Sequence, residues 1–228
     1  MLNKILTIED FERLSAPGGY IDLIRKNMST PPKDDALIKH SSILEAVEEL
    51  DLNSEMLILD AGCGSPKHPG APLTIAKRTN SSLICIDRLF IGQQFLDYEK
   101  SSCYKGDFFE ICKRIGDGTV DVIIDGCSIT HFDTSSQLAK NDGCHRFGHE
   151  AMRILKPGGY FVCCSDVVNS EDDSIAGEFI TPTSLLSAFT AGGLEIIGDH
   201  NFSLDGAFIG HMNLAVARVV LGKPESAV

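Results

Sequence analysis

The chain has 228 residues, 43% of them hydrophobic, and its 20 basic against 32 acidic residues give a formal charge of -12. One full-sized core is possible at that length, nucleic acid is a poor partner for so negative a field without a Lys/Arg cluster, and no apolar run approaches the ~18 residues of a membrane span. Eight cysteines with no C-x-x-C pair and no N-terminal signal segment read as free thiols of a reduced, cytoplasmic protein, not as a disulfide framework or a structural zinc site.

Residues 1–40 are the least regular part and are expected to form an N-terminal helical lid or flap ahead of a main domain over 41–228. Thr7 to Leu14 and Tyr20 to Asn27 read as short helices, broken by Ala16-Pro-Gly-Gly19 and Ser29-Thr-Pro-Pro32. A surface decoration that touches no site is an equal alternative for this segment. Ser42 with Glu45 three residues on is a capping-box pattern, after which Ile43, Val47 and Leu50 fall on one helical face. Met56-Leu-Ile-Leu59 reads as a buried strand that runs into Asp60 and then the glycines Gly62 and Gly64. Ala71 to Thr79 reads as a helix entered past Pro69 and Pro72. Further strands are expected at Leu83–Asp87, Ser102–Lys105, Val120–Asp125 and Tyr160–Cys164. Between them lie helices over Ile91–Glu99, Glu110–Ile115 and a longer one best seen over His149–Leu155, which Lys156-Pro-Gly-Gly159 stops. A helix over Thr181–Ala191 precedes strands at Leu194–Gly198 and His211–Leu221.

Strand and helix thus alternate from residue 56 to about 190, which predicts a doubly wound, mostly parallel sheet of seven strands with helices on both faces. Only Asp199 to Gly210 separate the last two strands. That span is too short for a helical crossover, so the last strand is expected to be antiparallel. In such a sheet ligands bind beyond the carboxyl ends of the strands, and Asp60, Asp87 and Asp125 each end an apolar strand while Asp107 follows another. Each alone reads equally as a cap or turn residue. Four carboxylates along one edge, however, call for a ligand rich in hydrogen-bond donors. An acid at the entrance of the glycine loop is badly placed for a pyrophosphate, which weighs against an NAD-dependent oxidoreductase.

Leu59-Asp60-Ala61-Gly62-Cys63-Gly64 resembles the first motif of class I S-adenosylmethionine-dependent methyltransferases, and Glu150-Ala-Met-Arg-Ile-Leu-Lys-Pro-Gly-Gly159 resembles that family's turn into its fifth strand. The resemblance covers residues from about 42 to 220 and implies a Rossmann-like methyltransferase fold with S-adenosylmethionine as cofactor. It also implies roles. Asp87, with Arg88 beside it, matches the acid that takes both ribose hydroxyls; Asp107 and Phe108 match the residues at the adenine. Asp60, Gly62, Cys63 and Gly64 match the loop at the methionine part, and Asp125, Gly126 and Cys127 the segment whose backbone carbonyls meet its ammonium. The family's usual third glycine is missing after Gly64, and Gly70 takes that place if Ser65 to Pro69 form a small insertion; otherwise cofactor binding is altered.

Cys127-Ser-Ile-Thr-His-Phe132 is where the substrate should lie, with His131 as candidate general base. His131 packing on the following helix, without touching substrate, is the alternative. Cys144, His145 and His149 lie close in sequence but lack metal-ligand spacing, so no metal is expected. The expected activity is methyl transfer to a small-molecule acceptor at oxygen, by a chain that binds no nucleic acid or membrane and forms a homodimer. A non-catalytic S-adenosylmethionine-binding protein is the competing reading.

Overall fold

The computed structural model describes residues 1–26, 33–52, 55–64, 70–132, 137–168 and 180–225. Its strands are β1 (Asn3–Ile5), β2 (Leu57–Ala61), β3 (Ser82–Asp87), β4 (Ser101–Lys105), β5 (Val120–Asp125), β6 (Leu155–Val168), β7 (Glu195–Ile196), β8 (His200–Asn201) and β9 (Leu214–Gly222). The helices are α1 (Ile8–Leu14), α2 (Tyr20–Lys26), α3 (Asp34–Glu49), α4 (Ala71–Thr79), α5 (Gln93–Leu96), α6 (Phe108–Cys112), α7 (Gln137–Ile154) and α8 (Pro182–Thr190).

One sheet runs in the order β4-β3-β2-β5-β6-β9-β1-β8, with β7 also paired to β9. β4, β3, β2, β5 and β6 are mutually parallel, and β9 is antiparallel to β6, β7 and β1. The chain steps outward from β2 to β4 and then returns to the other side of β2 as β5, so strand order reverses between β2 and β5. A ligand crevice is expected above that point.

Alternation along the strands feeds an apolar layer on each face. Ile58, Leu83, Val122, Ile124 and Val162 pack with α1 to α4. Leu59, Ile86, Ile123 and Phe161 pack with α6, α7 and α8, where Phe147 meets Phe161 and Phe189.

Nine strands among the described residues replace the expected seven. The two additions, β1 and β8, are three and two residues long and stack on the β9 edge, too short to leave a period-2 signature. The antiparallel last strand is as expected, although β9 inserts between β6 and β7. β6 begins at Leu155, directly after α7, so Lys156 to Gly159 already belong to the strand, as the irregular stretch over which pairing shifts from Val120 opposite Leu155 to Val122 opposite Tyr160.

The capping-box expectation at Ser42 is corrected. α3 starts nine residues earlier, with Lys33 in place of Ser42 as its N-cap, and Ser42 and Glu45 are interior, buried residues. Their i, i+3 spacing puts both on one helix face, where they hold the fully buried Arg218 of β9. Its guanidinium donates to the Ser42 hydroxyl at 3.0 Å, the Ser42 carbonyl at 3.1 Å and Glu45 at 2.8 Å, and also to the carbonyls of Met1 and Leu2. A true capping box stands at Thr7 and Asp10, which exchange side-chain and backbone hydrogen bonds at the start of α1.

Candidate active site

A cleft of about 1170 Å³ opens above the β2/β5 reversal. Of the residues singled out above, Asp60, Gly62, Cys63, Gly64, Asp87, Arg88, Asp107, Phe108, Gly126, Cys127 and His131 line it. Asp125 does not.

The β2 loop leaves the sheet with Gly62 at φ +106° and Gly64 at φ +71°, conformations that L side chains rarely adopt. A side chain at Gly62 would also collide with Ser128. The loop is tied down by amides of Gly62 and Cys63 donating to the Ile86 carbonyl at 2.8 and 3.0 Å, and by the Gly64 amide donating to Asp87 at 2.9 Å. Asp87 also accepts from the amides of Leu89 at 2.7 Å and Phe90 at 2.9 Å. Its carboxylate is therefore fixed before any ligand arrives. Asp107 caps α6 through the Glu110 amide at 3.1 Å, and Phe108 stacks on Phe132 at 5.2 Å.

Asp60 differs from these. It is buried, lines the cleft, and among the described residues nothing donates a hydrogen bond to its carboxylate. Burial, reinforced by Asp125 and Asp87, pushes its pKa well above the ordinary carboxylate value. A cation or donor placed against it would relieve that cost.

Asp125 has the turn role that an aspartate after a strand often takes. It is fully buried, accepting from the amide of Cys127 at 3.2 Å, the amide and hydroxyl of Ser128, and more weakly the amide of Ile129. The Ser128 hydroxyl also meets the Ala61 carbonyl, which locks the β5 turn to the β2 loop. Gly126 and Cys127 are thereby presented to the cleft. His131 lies in a single 3-10 turn, exposed at the cleft rim.

The opposite wall comes from α3 and β6, and reading the sequence missed it. Lys39 and His40 line the cleft although both are nearly buried. The Lys39 ammonium pairs with Asp166 of β6 at 2.7 Å, and the Cys127 thiol donates to the other Asp166 oxygen at 3.1 Å. Burial pushes the Cys127 thiol up to about 12 against the pull of Lys39, so it stays protonated and acts as donor. His40 accepts from the Ala71 amide at 3.3 Å, and its ring fills the space that side chains at Gly70 and Gly126 would need. The available signal was a polar run, Lys39-His-Ser-Ser42, between the apolar pairs Leu37-Ile38 and Ile43-Leu44.

Glu150 and Arg153 stay away from the cleft. Arg153 donates to the carbonyls of Cys112 at 2.8 Å and Ile115 at 3.0 Å, joining the end of α7 to the segment before β5. Among the described residues no group of three His, Cys, Asp or Glu could hold a metal ion, and no helix is long and apolar enough to cross a membrane.

The sequence matches no protein-family model and, at a significant level, no curated protein. Solved structures do match. Geranyl diphosphate C-methyltransferase from Streptomyces coelicolor superposes with a TM-score of 0.57 at 12% identity, over 80% of this chain and 76% of that one. The fold is that of the Rossmann-like S-adenosylmethionine-dependent methyltransferases. A 1,6-didemethyltoxoflavin N1-methyltransferase from Burkholderia thailandensis has the same methyltransferase fold, with a TM-score of 0.52 at 13% identity over 79% of this chain and 76% of its own. So does SpnF, a 4+2 cyclase, with a TM-score of 0.56 at 16% identity over 95% and 94%. The cyclase shows that this methyltransferase fold also carries other chemistry, so activity has to be argued from the site.

Proposed function

We propose that this chain is an S-adenosylmethionine-dependent methyltransferase that transfers a methyl group to the oxygen of a small-molecule acceptor. The observation that carries this reading is the convergence of Asp60, Asp87 and Asp107, from three adjacent strand ends, on one cleft beside a bare glycine turn. The buried Asp60, with no described donor, fits a cationic ligand better than a pyrophosphate, which also disfavours NAD. The structures of the Burkholderia and Streptomyces enzymes hold S-adenosylhomocysteine, the demethylated form of the same cofactor.

In this reading Asp87 receives the ribose hydroxyls and Asp107 with Phe108 the adenine, while Gly62, Cys63, Gly64, Gly126 and Cys127 offer backbone to the methionine part and Asp60 balances its charge. When bound, the cofactor supplies a methyl group already activated on a sulfonium. The protein then has to align an acceptor oxygen behind that methyl, exclude water and remove a proton. His131 at the rim is the proton acceptor.

Two measurements test the proposal. Calorimetric titration with S-adenosylmethionine should show binding, and incubation of methyl-labelled cofactor with a metabolite extract should yield S-adenosylhomocysteine and a labelled product. Absence of binding sinks the reading, and binding without turnover leaves a cofactor-binding protein. The His131→Asn variant should keep cofactor affinity but lose turnover by ~10²–10⁴. That loss should ease as pH rises if the acceptor is an acidic hydroxyl, because ionised acceptor needs no base. Normal turnover at neutral pH would make His131 a packing residue.

A further inference from the structure

Lys39 has no role in the assignments above, yet it is the most deliberately held cation in the cleft. Its side chain is 7% exposed and opens onto the same cavity as the glycine turn. Burial works against its charge, but its acidic neighbours Asp166 and Asp35 hold its pKa above the ordinary lysine value, so it is an ammonium at neutral pH. A buried ion pair adds little stability over a well-packed apolar pair. Nor is it needed as a tether, because Arg218 with Ser42 and Glu45 already fastens α3 to the sheet.

The neighbouring backbone carries a second sign of purpose. Cys127 has φ +83°, an unfavourable conformation for a residue with a side chain. In that conformation its thiol reaches Asp166, and the Asp166 amide donates back to the sulfur at 3.4 Å. Asp166 is thus fixed on one oxygen by Cys127 and presents the other to Lys39. An ammonium has three N–H donors, and among the described residues Asp166 is its only ion-pair partner. Because Cys127 belongs to the turn proposed to meet the methionine part of the cofactor, and Asp166 links it to Lys39, Lys39 borders that same part of the cleft.

We propose that the Lys39 ammonium hydrogen-bonds the reacting oxygen of the acceptor and stabilises its ionised form, so that the acceptors are phenols or enols; Asp166 and Cys127 are positioning residues for Lys39. This rests on the methyltransferase reading and names its substrate class. The acceptor O–H proton goes to His131, and the freed electron pair on oxygen forms the new bond to the methyl carbon. The methyl–sulfur bond breaks with its pair returning to sulfur. Lys39 keeps its proton throughout, as a preorganised charge that acts where the oxyanion develops.

The test uses 4-nitrophenol, whose ionised form is coloured, with the full-length protein saturated with S-adenosylhomocysteine, which carries no sulfonium charge. The bound phenol should ionise at a pH lower than free 4-nitrophenol by about one unit or more, the usual effect of an adjacent opposite charge. Lys39→Met should abolish the shift and weaken binding of the phenolate roughly 10-fold or more, while S-adenosylhomocysteine affinity stays within about twofold. Lys39→Arg should keep the shift, which guards against mistaking a folding defect for lost chemistry. An unshifted bound phenol, an unchanged shift in Lys39→Met, or no phenol binding to protein that titrates normally with S-adenosylhomocysteine overturns the proposal. Failure to bind S-adenosylhomocysteine at all overturns the methyltransferase reading instead.

Discussion

Asp87, on the strand-end wall of the cleft, is held by backbone amides of the loop after its own strand and of the β2 loop that faces it, and Asp107 by an amide in the first turn of α6. Lys39, on the helix wall, is held by an aspartate from β6, and its helix is held by Arg218 from β9. The first wall is set mainly by local geometry, since a strand that ends in an acid and turns places that acid at the sheet edge, and the one longer contact is the Gly64 amide on Asp87. The second exists only once distant strands have come together. Substitutions should therefore act differently on the two walls, with binding changing most on one and stability on the other.

The largest effect is expected at Arg218, under the helix wall. Arg218→Ala leaves Glu45 in a buried site with one guanidinium fewer and strips the carbonyls of Met1 and Leu2 of their donor, a loss of about 3–5 kcal/mol for a broken buried pair. Urea unfolding should show it. A change under about 1 kcal/mol would mean that α3 is held by apolar packing alone and that the two walls are not so different.

Next comes Asp87→Ala on the strand-end wall. If two ribose hydroxyls lose a charged acceptor, affinity for S-adenosylmethionine should fall by a few kcal/mol, each such bond contributing about 1.5–3. Calorimetry should show this, and unchanged affinity would remove Asp87 from the site.

The smallest effect has the opposite sign. Burial raises the Asp60 pKa above its unfolded value, so ligand-free protein is most favoured with that group protonated and loses stability as pH rises above the unfolded value of about 3.9 toward the raised folded one. Asp60→Asn should raise the melting temperature of ligand-free protein at neutral pH by roughly 2–4 °C, about 1 kcal/mol, and flatten that part of the pH profile. It should also weaken cofactor binding. A melting temperature that falls would show that the carboxylate is satisfied without a ligand.

The same contrast explains how much could be read from the sequence. Asp60, Gly62, Gly64 and Asp87 were legible because an apolar strand, its terminal acid and the turn beyond it are consecutive in the chain, and Asp107 because it opens a helix in the turn Gly106-Asp107-Phe108 directly after β4. Asp125 shows the limit of that reasoning, since a strand-end aspartate can fold back on the amides of its own turn. Thr7 with Asp10 and Ser42 with Glu45 share one spacing, yet one pair caps a helix and the other grips an arginine from the last strand. Nothing within a few residues of Ser42 distinguishes them. Arg218, alone in Leu214-Ala-Val-Ala-Arg-Val-Val-Leu221, was the visible oddity, but its partners lie at the other end of the chain.

Strand β1 gives the protein an awkward assembly order. Residues 3–5 pair as a strand with His200, Asn201, Ala217 and Arg218, so a segment made well before β9 has no sheet to join until that strand emerges. At about 5–20 residues per second that wait is roughly ten to forty seconds. Throughout it Leu6 and the apolar faces of α1 and α2, with Leu14, Ile21 and Ile24 destined for the core, are without their final cover. Closing so long a loop is the most entropically demanding contact in the fold. Nascent chains stalled short of β9 are therefore the species on which a chaperone would have most to do.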